Sequence, residues 1–186
     1  MKQENETTSA LLELTNRFIV AWQEQVGSNP YNTVYDSMDS PCVQKFNDES
    51  EVYWLPHKRR NTIKLEGVER GMEMKIQNSV HDFYGSQYSG NISIVFNEQE
   101  YLLLQAWNED DFIRLQENII GHLVSQRKAK RQPSVFIGTT SDDDYVLSCC
   151  NLTGHVVIDR LSKKNQVVLA PDIATFLNQS TPHVNI

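Results

Sequence analysis

The 186-residue chain lacks the long apolar run, of roughly 18–20 residues, that a membrane span requires. Its first ten residues lack the basic start and apolar middle of a secretory signal, so a cytoplasmic chain is expected. Cysteine is scarce: Cys42, Cys149 and Cys150 cannot all pair, and a disulfide between the adjacent two is strained. A reducing compartment fits that usage. The glycine-rich and nucleophile-elbow motifs of nucleotide-binding proteins and hydrolases, GxGxxG, GxxxxGK[ST] and G-x-S-x-G, are all missing. Cations are outnumbered, 17 Lys and Arg against 24 Asp and Glu, for a net charge of −7. That excludes general affinity for phosphate backbones and leaves attraction to a basic partner open. Zinc-like spacing is absent too. Cys149, Cys150 and His155 are close, but neighbouring strand residues point to opposite faces, which predicts one core thiol and one partly exposed thiol.

What is present is a clear helical pattern. Leu11, Leu14, Phe18 and Trp22 fall at helical spacing, with Ala21 and Val26 extending the stripe, and predict a helix over 8–26 stopped by Gly27. A second pattern fills 107–123. Asn108 is a good N-cap, and Glu109, Asp110 and Asp111 suit the positive end of the helix dipole. Phe112, Leu115, Ile119 and Leu123 follow as the buried face, widened by Ile113, Ile120 and Val124. Arg127, Lys128, Lys130 and Arg131 suit its end, and Pro133 stops it.

Between and beyond these helices the pattern changes. Residues 28–50 carry Asn29-Pro30 and Ser40-Pro41 and read as a long irregular connection. Residues 51–55 read as a strand closed by Pro56, and Lys58-Arg59-Arg60 as a solvated loop. Residues 66–84 are helical or irregular. Strands are expected at 91–96 and 101–107 around the turn 97–100, then at 134–139. A hairpin joins 145–150 to 155–160, a short strand follows at 167–170, and a short helix at 171–179 packs Ile173, Phe176 and Leu177. The length suits one domain, over 1–186. The order of elements predicts an α+β fold with helices packed on a largely antiparallel sheet.

Chemistry is sparse. His81-Asp82 and His122 are the obvious catalytic types, yet no nucleophile with a neighbouring base is apparent. His122 reads as a packing or capping group on the polar edge of the second helix. The carboxylates stand out more. From Glu98 to Glu117 six acids (Glu98, Glu100, Glu109, Asp110, Asp111, Glu117) face one base, Arg114, for a local balance of −5. Asp110 and Glu117 share a face with Arg114 between them, so surface ion pairs worth roughly 0.3–0.5 kcal/mol each are expected there. The residues alone leave open whether this acidity only caps the helix or also forms a docking surface.

A family resemblance bears on that choice. The chain carries, in order, Ala21-Trp22, Ser40-Pro41-Cys42, Val52-Tyr53-Trp54, Val68-Glu69-Arg70, His81-Asp82-Phe83-Tyr84 and the specific block over 103–123. Phe136-Ile137, Cys150-Asn151-Leu152-Thr153-Gly154, Leu169-Ala170 and Phe176-Leu177-Asn178-Gln179 complete the set. Together they resemble Syd, the SecY-interacting family, itself similar to the wider SUKH group. Thr153 stands where Ser is usual and Gly138 where Ala is usual, and 57–66 matches poorly. The resemblance implies a SUKH-like α+β fold, no enzymatic activity, no cofactor and no metal. It implies a partner, SecY of the Sec translocase, met through basic cytoplasmic loops by an acidic concave surface. Binding would check or restrain SecY assembly from the cytoplasmic face of the inner membrane, peripherally, with no nucleic acid involved. The groove candidates it nominates are Glu109, Asp110, Asp111 and Glu117, with Glu69 and Asp82 taken from other matched positions. By analogy with the SUKH group, the alternative is an immunity-type protein binding a basic toxin.

Overall fold

The computed structural model describes residues 5–33, 39–46 and 51–185. The chain opens with helix α1 (Glu6–Val26), which buries Leu11, Leu14, Phe18 and Trp22 and closes on Gly27 in the left-handed conformation at φ 79°. The expected 28–50 connection holds two short strands that the sequence pattern does not announce. These are β1 (Tyr31–Thr33) and β2 (Val43–Phe46), which flank β3 (Glu51–Trp54) in a three-stranded antiparallel sheet. The rest of that connection, 34–38 and 47–50, lies outside the described residues.

Strand β4 (His57–Lys58) follows. The 66–84 segment resolves into two helices, α2 (Glu66–Met72) and α3 (Asn78–Gly85). Strand β5 (Gln87–Tyr88) then pairs with β4. Next come β6 (Ile92–Phe96), β7 (Gln99–Leu103), α4 (Glu109–Lys128), β8 (Ser134–Thr139), β9 (Tyr145–Cys150), β10 (Val156–Arg160), β11 (Asn165–Ala170), α5 (Ile173–Gln179) and β12 (Thr181–Pro182). The strand expected over 101–107 lies at β7, so its pairing ends at Leu103. The last strand of the hairpin region runs two residues longer at its start than the apolar pattern, because Asn165 and Gln166 pair with Arg160 and Asp159.

Seven strands form one antiparallel sheet in the order β11-β10-β9-β8-β7-β6-β12, which makes the fold α+β with a largely antiparallel sheet. Alternation sets its buried face: Ile92, Ile94, Phe96, Tyr101, Leu103 and Leu147 all lie against the core. Phe176 of α5 seats on Phe96 with ring centroids 4.6 Å apart. Helix α1 lies beside α5 and α3. Helix α4 crosses the other face over β8, where the ring of His122 meets Phe136 edge-on at 5.6 Å. Among the described residues no helix is long and apolar enough to cross a membrane.

Candidate functional site

The acidic start of α4 is built by its cap. Asn108 is extended (φ −154°, ψ −172°), and its Oδ1 accepts the N–H of Asp111 at 2.8 Å. Its amide donates to the Asp39 carbonyl at 2.9 Å, and the Ser40 hydroxyl donates to the Trp107 carbonyl at 2.6 Å, so the 39–42 loop braces the helix entry. Asp111 in turn accepts the N–H of Trp107 at 2.9 Å. Its other oxygen lies 3.5 Å from Arg114. The ion pairs expected from Asp110 and Glu117 to Arg114 do not form. The cap orients the Asp111 carboxylate along the helix, and Arg114 takes that fixed partner at i+3 instead.

The four acids of this helix therefore differ. Asp111 is engaged by the cap and by Arg114. Glu109 accepts the hydroxyl of Tyr88, and its Oε2 stands 3.9 Å from a guanidinium nitrogen of Arg59. Burial, reinforced by this carboxylate, pushes the Tyr88 hydroxyl up to about 12. Asp110 and Glu117 are exposed and have no hydrogen-bond or ion-pair partner among the described residues. Seven residues apart, they stand about 10 Å from each other along the axis.

Arg59 overturns the solvated-loop expectation for the basic triplet. Its side chain is only 5% exposed. The guanidinium carbon lies 3.7 Å from the centroid of Tyr88 and 4.6 Å from that of Phe112. The pairing of β4 with β5 brings Arg59 to Tyr88, and α4 supplies Phe112 from the other side. None of the three guanidinium nitrogens has a hydrogen-bond partner among the described residues, and burial lowers its pKa.

Glu69 and Asp82 are positioned differently. Glu69 accepts from Lys75 Nζ at 2.9 Å and from the Ile76 N–H at 3.1 Å, and lies 3.3 Å from His81 Nε2. The Lys75 ammonium and the Ile76 N–H hold its carboxyl down to about 2. His81 Nδ1 accepts the N–H of Leu65 at 3.0 Å, so the ring proton sits on Nε2 and is donated to Glu69. Burial lowers the pKa of His81. Asp82 is 8% exposed, its Oδ2 has no partner among the described residues, and burial raises its pKa.

Two further carboxylates belong to this acidic surface. Helix α2 leans on α4 through Gly67, whose N–H donates to Gln116 Oε1 at 3.0 Å, and through Gly71 against Ile120. A side chain at Gly67 would meet Gln116 at 2.8 Å, so glycine permits the close approach. Beside that contact, Glu66, Glu69, Arg70 and Glu73 line a hollow of about 410 Å³. Glu66 and Glu73 are exposed. Glu66 opens α2 and Glu73 caps its end in the left-handed conformation at φ 52°, so no single helical spacing announces the pair.

The remaining chemistry is structural. His122 Nε2 lies 2.9 Å from the amide nitrogen of Gln126, which also donates to Ser134 Oγ at 2.7 Å. Ser134 Oγ donates to Asp159. His122 thus accepts at Nε2, and burial keeps its pKa low. Cys149 and Cys150 are both buried, at 0% and 2% exposure, contrary to the expected partly exposed thiol. They do point to opposite faces, but both faces are covered at β9. Among the described residues no group of His, Cys, Asp and Glu is arranged to hold a metal ion.

The chain is similar to known proteins along nearly its whole length. A family model described as Syd protein (SUKH-2) matches residues 8–182. Protein Syd of Cronobacter sakazakii is 41% identical over 181 residues, 97% of this chain and 99% of the relative. Protein Syd of Pectobacterium atrosepticum is 38% identical over 179 residues, 96% of this chain and 98% of the relative. Protein Syd of Yersinia enterocolitica is 36% identical over 175 residues, 94% and 95% of the two chains.

Proposed function

The chain belongs to the Syd (SUKH-2) family, and from that premise we propose that it is a non-enzymatic, single-domain docking protein for SecY. Basic cytoplasmic loops of the channel lie against the acidic surface at the start of α4, and this contact checks or restrains assembly of the translocase. The observation that carries the reading is the division of labour among the acids: Asp110 and Glu117 stand exposed without partners among the described residues, while their neighbours hold the surface in shape.

The physics agrees. Cytoplasmic loops of membrane proteins are enriched in Lys and Arg. A chain of net charge −7 that sets Glu109, Asp110 and Asp111 in the first turn of one helix steers such loops in. The groove candidates are Asp110 and Glu117 foremost. Glu109 and Asp111 contribute charge from fixed positions, and Glu66 and Glu73 continue the surface on α2. Glu69 lines the hollow beside α2 with its charge held by Lys75, and Asp82 is a buried and weaker candidate. No cofactor, metal or nucleic acid enters the reading. The protein acts peripherally, on the cytoplasmic side of the inner membrane, through its partner.

The test is co-sedimentation with membranes that contain or lack overproduced SecY, across a salt series. Retention should depend on SecY and decline as the screening length falls from about 10 Å at 0.1 M to about 3 Å at 1 M. SecY-dependent retention that ignores salt would overturn the electrostatic mode. Recovery of a basic toxin in place of the translocon would replace SecY as the partner.

A further inference from the structure

Helix α4 has a second end. Seven of the chain's 17 Lys and Arg fall in two short stretches, Arg127, Lys128, Lys130 and Arg131 at the end of α4, and Arg160, Lys163 and Lys164 at the β10–β11 turn. Arg131 brings the two together. It donates to the Leu161 carbonyl at 2.9 Å and to the carbonyls of Arg160 and Lys163. The helix spans about 30 Å, so this cationic pole stands well away from the acidic one.

Between these stretches the face of β9–β11 beside α4 forms a cleft of about 430 Å³. Its floor holds Cys150 and Val157, at 2% and 1% exposure. Its lining includes Lys130 from the end of α4 and Lys164 from the β10–β11 turn. Neither ammonium has an internal partner among the described residues, whereas Arg131 is engaged by carbonyls, Arg160 by Asp144 at 2.8 Å and Arg127 by the Met72 carbonyl at 2.9 Å. Asp159, the one carboxylate among the described lining residues, is 2% exposed and already accepts the Ser134 hydroxyl. Within an acidic protein, the cleft is left with unpaired positive charge.

We propose that this cleft docks an extended acidic peptide segment of a partner protein, with its carboxylates meeting Lys130 and Lys164. Three features select that occupant. A phosphate is recognised best by a free guanidinium fork or a nest of backbone N–H groups, and here the guanidinium is already occupied. A lipid surface is flat, and these cations line a cleft with a buried floor. The carboxamides of Gln132, Asn165 and Gln166 line the same cleft and offer the paired donors and acceptors that a peptide backbone needs. The site is separate from the SecY surface, so either reading stands if the other fails.

The experiment titrates the full-length protein into a short fluorescein-labelled peptide of alternating Glu and Ala and reads anisotropy at low salt. The wild type and the Asp110→Lys/Glu117→Lys variant should bind it equally. The exposed-site variants Lys130→Glu/Lys164→Glu and, as the milder pair, Lys130→Gln/Lys164→Gln should weaken binding by about tenfold or more. No binding by the wild type, or binding by both lysine pairs equal to that of the wild type, overturns the proposal. Displacement of the peptide by inorganic phosphate at matched charge, or lysine-dependent binding of anionic phosphatidylglycerol vesicles, also overturns it by naming a different ligand class.

Discussion

The guanidinium of Arg59 and the carboxylate of Glu109 come within 3.9 Å of each other, yet none of the three guanidinium nitrogens makes a hydrogen bond among the described residues. The arginine is held chiefly by the rings of Tyr88 and Phe112. It contributes packing as much as charge, because its long stem and planar head fill the gap between β5 and α4.

That distinction is measurable. Arg59→Ala should destabilise the fold by roughly 2 kcal/mol or more, as expected for truncating a large buried side chain. Arg59→Met keeps much of the volume without a buried unpaired charge, and should cost clearly less. Urea denaturation of both variants gives the comparison. Equal losses would mean that the cation–π contact, which only the charge can make, dominates.

On the acidic surface, Asp110→Lys/Glu117→Lys should abolish SecY-dependent membrane retention while the circular dichroism spectrum and thermal midpoint stay near those of the wild type. Both side chains are exposed and bind nothing among the described residues. Asp111→Asn should act differently. It weakens a cap interaction with the Trp107 N–H and so lowers stability by about 1 kcal/mol, with a smaller effect on retention.

Acid should weaken the protein in two steps. His81 is held neutral by burial, below its ordinary pKa of 6.5, so the unfolded chain gains protons first and stability declines as pH falls below about 6.5. Glu69, held down to about 2, adds a further loss between its ordinary 4.5 and about 2. In Glu69→Gln the lower step should disappear from a plot of thermal midpoint against pH. Persistence of that step would assign it to other carboxylates.

Asp82 predicts the opposite sign. Its pKa is raised by burial and one oxygen is unpartnered among the described residues, so its charge costs stability at neutral pH. Asp82→Asn should raise the thermal midpoint at pH 7, and the gain over wild type should shrink as pH falls through the carboxylate range. A lower midpoint at pH 7 would show that the ionised carboxylate is stabilised by a partner that asparagine cannot replace.

Two glycines separate space from propensity. Gly121 lies in α4 with open space for 4 Å around the point where a Cβ would sit, so Gly121→Ala should stabilise by about 0.5–1 kcal/mol. At Gly90 a Cβ would stand 2.5 Å from the Trp54 ring, which is buried, so Gly90→Ala should destabilise and shift Trp54 fluorescence. Thermal scans of the two variants should move in opposite directions.

The elements that were legible in the sequence share a local cause. The periodicity of Leu11, Leu14, Phe18 and Trp22, the Asn108 cap and the left-handed Gly27 act within a few residues, and α1 and α4 lie where those signals put them. Arg59 was not legible, since its burial depends on Tyr88 and Phe112, 29 and 53 positions away. Strands β1 and β2 hide among polar residues because the small sheet is held by cross-strand partners on β3. The acids were legible as a group and not as individuals. Composition gives Glu109, Asp110 and Asp111 one character, and only the cap and the Tyr88 contact leave Asp110 as the free one.

The docking of α1 on α5 has a consequence for synthesis. Arg17 donates to the carbonyls of Leu177 and Ser180, about 160 positions later, so α1 is held by a helix made long after it. At ribosomal speeds of about 5–20 residues per second, roughly 10–30 s pass between the two. Through that interval the apolar stripe of Leu11, Leu14 and Phe18 has only its earlier partners, Trp54 and α3, and the side that α5 will cover stays open until α5 leaves the ribosome.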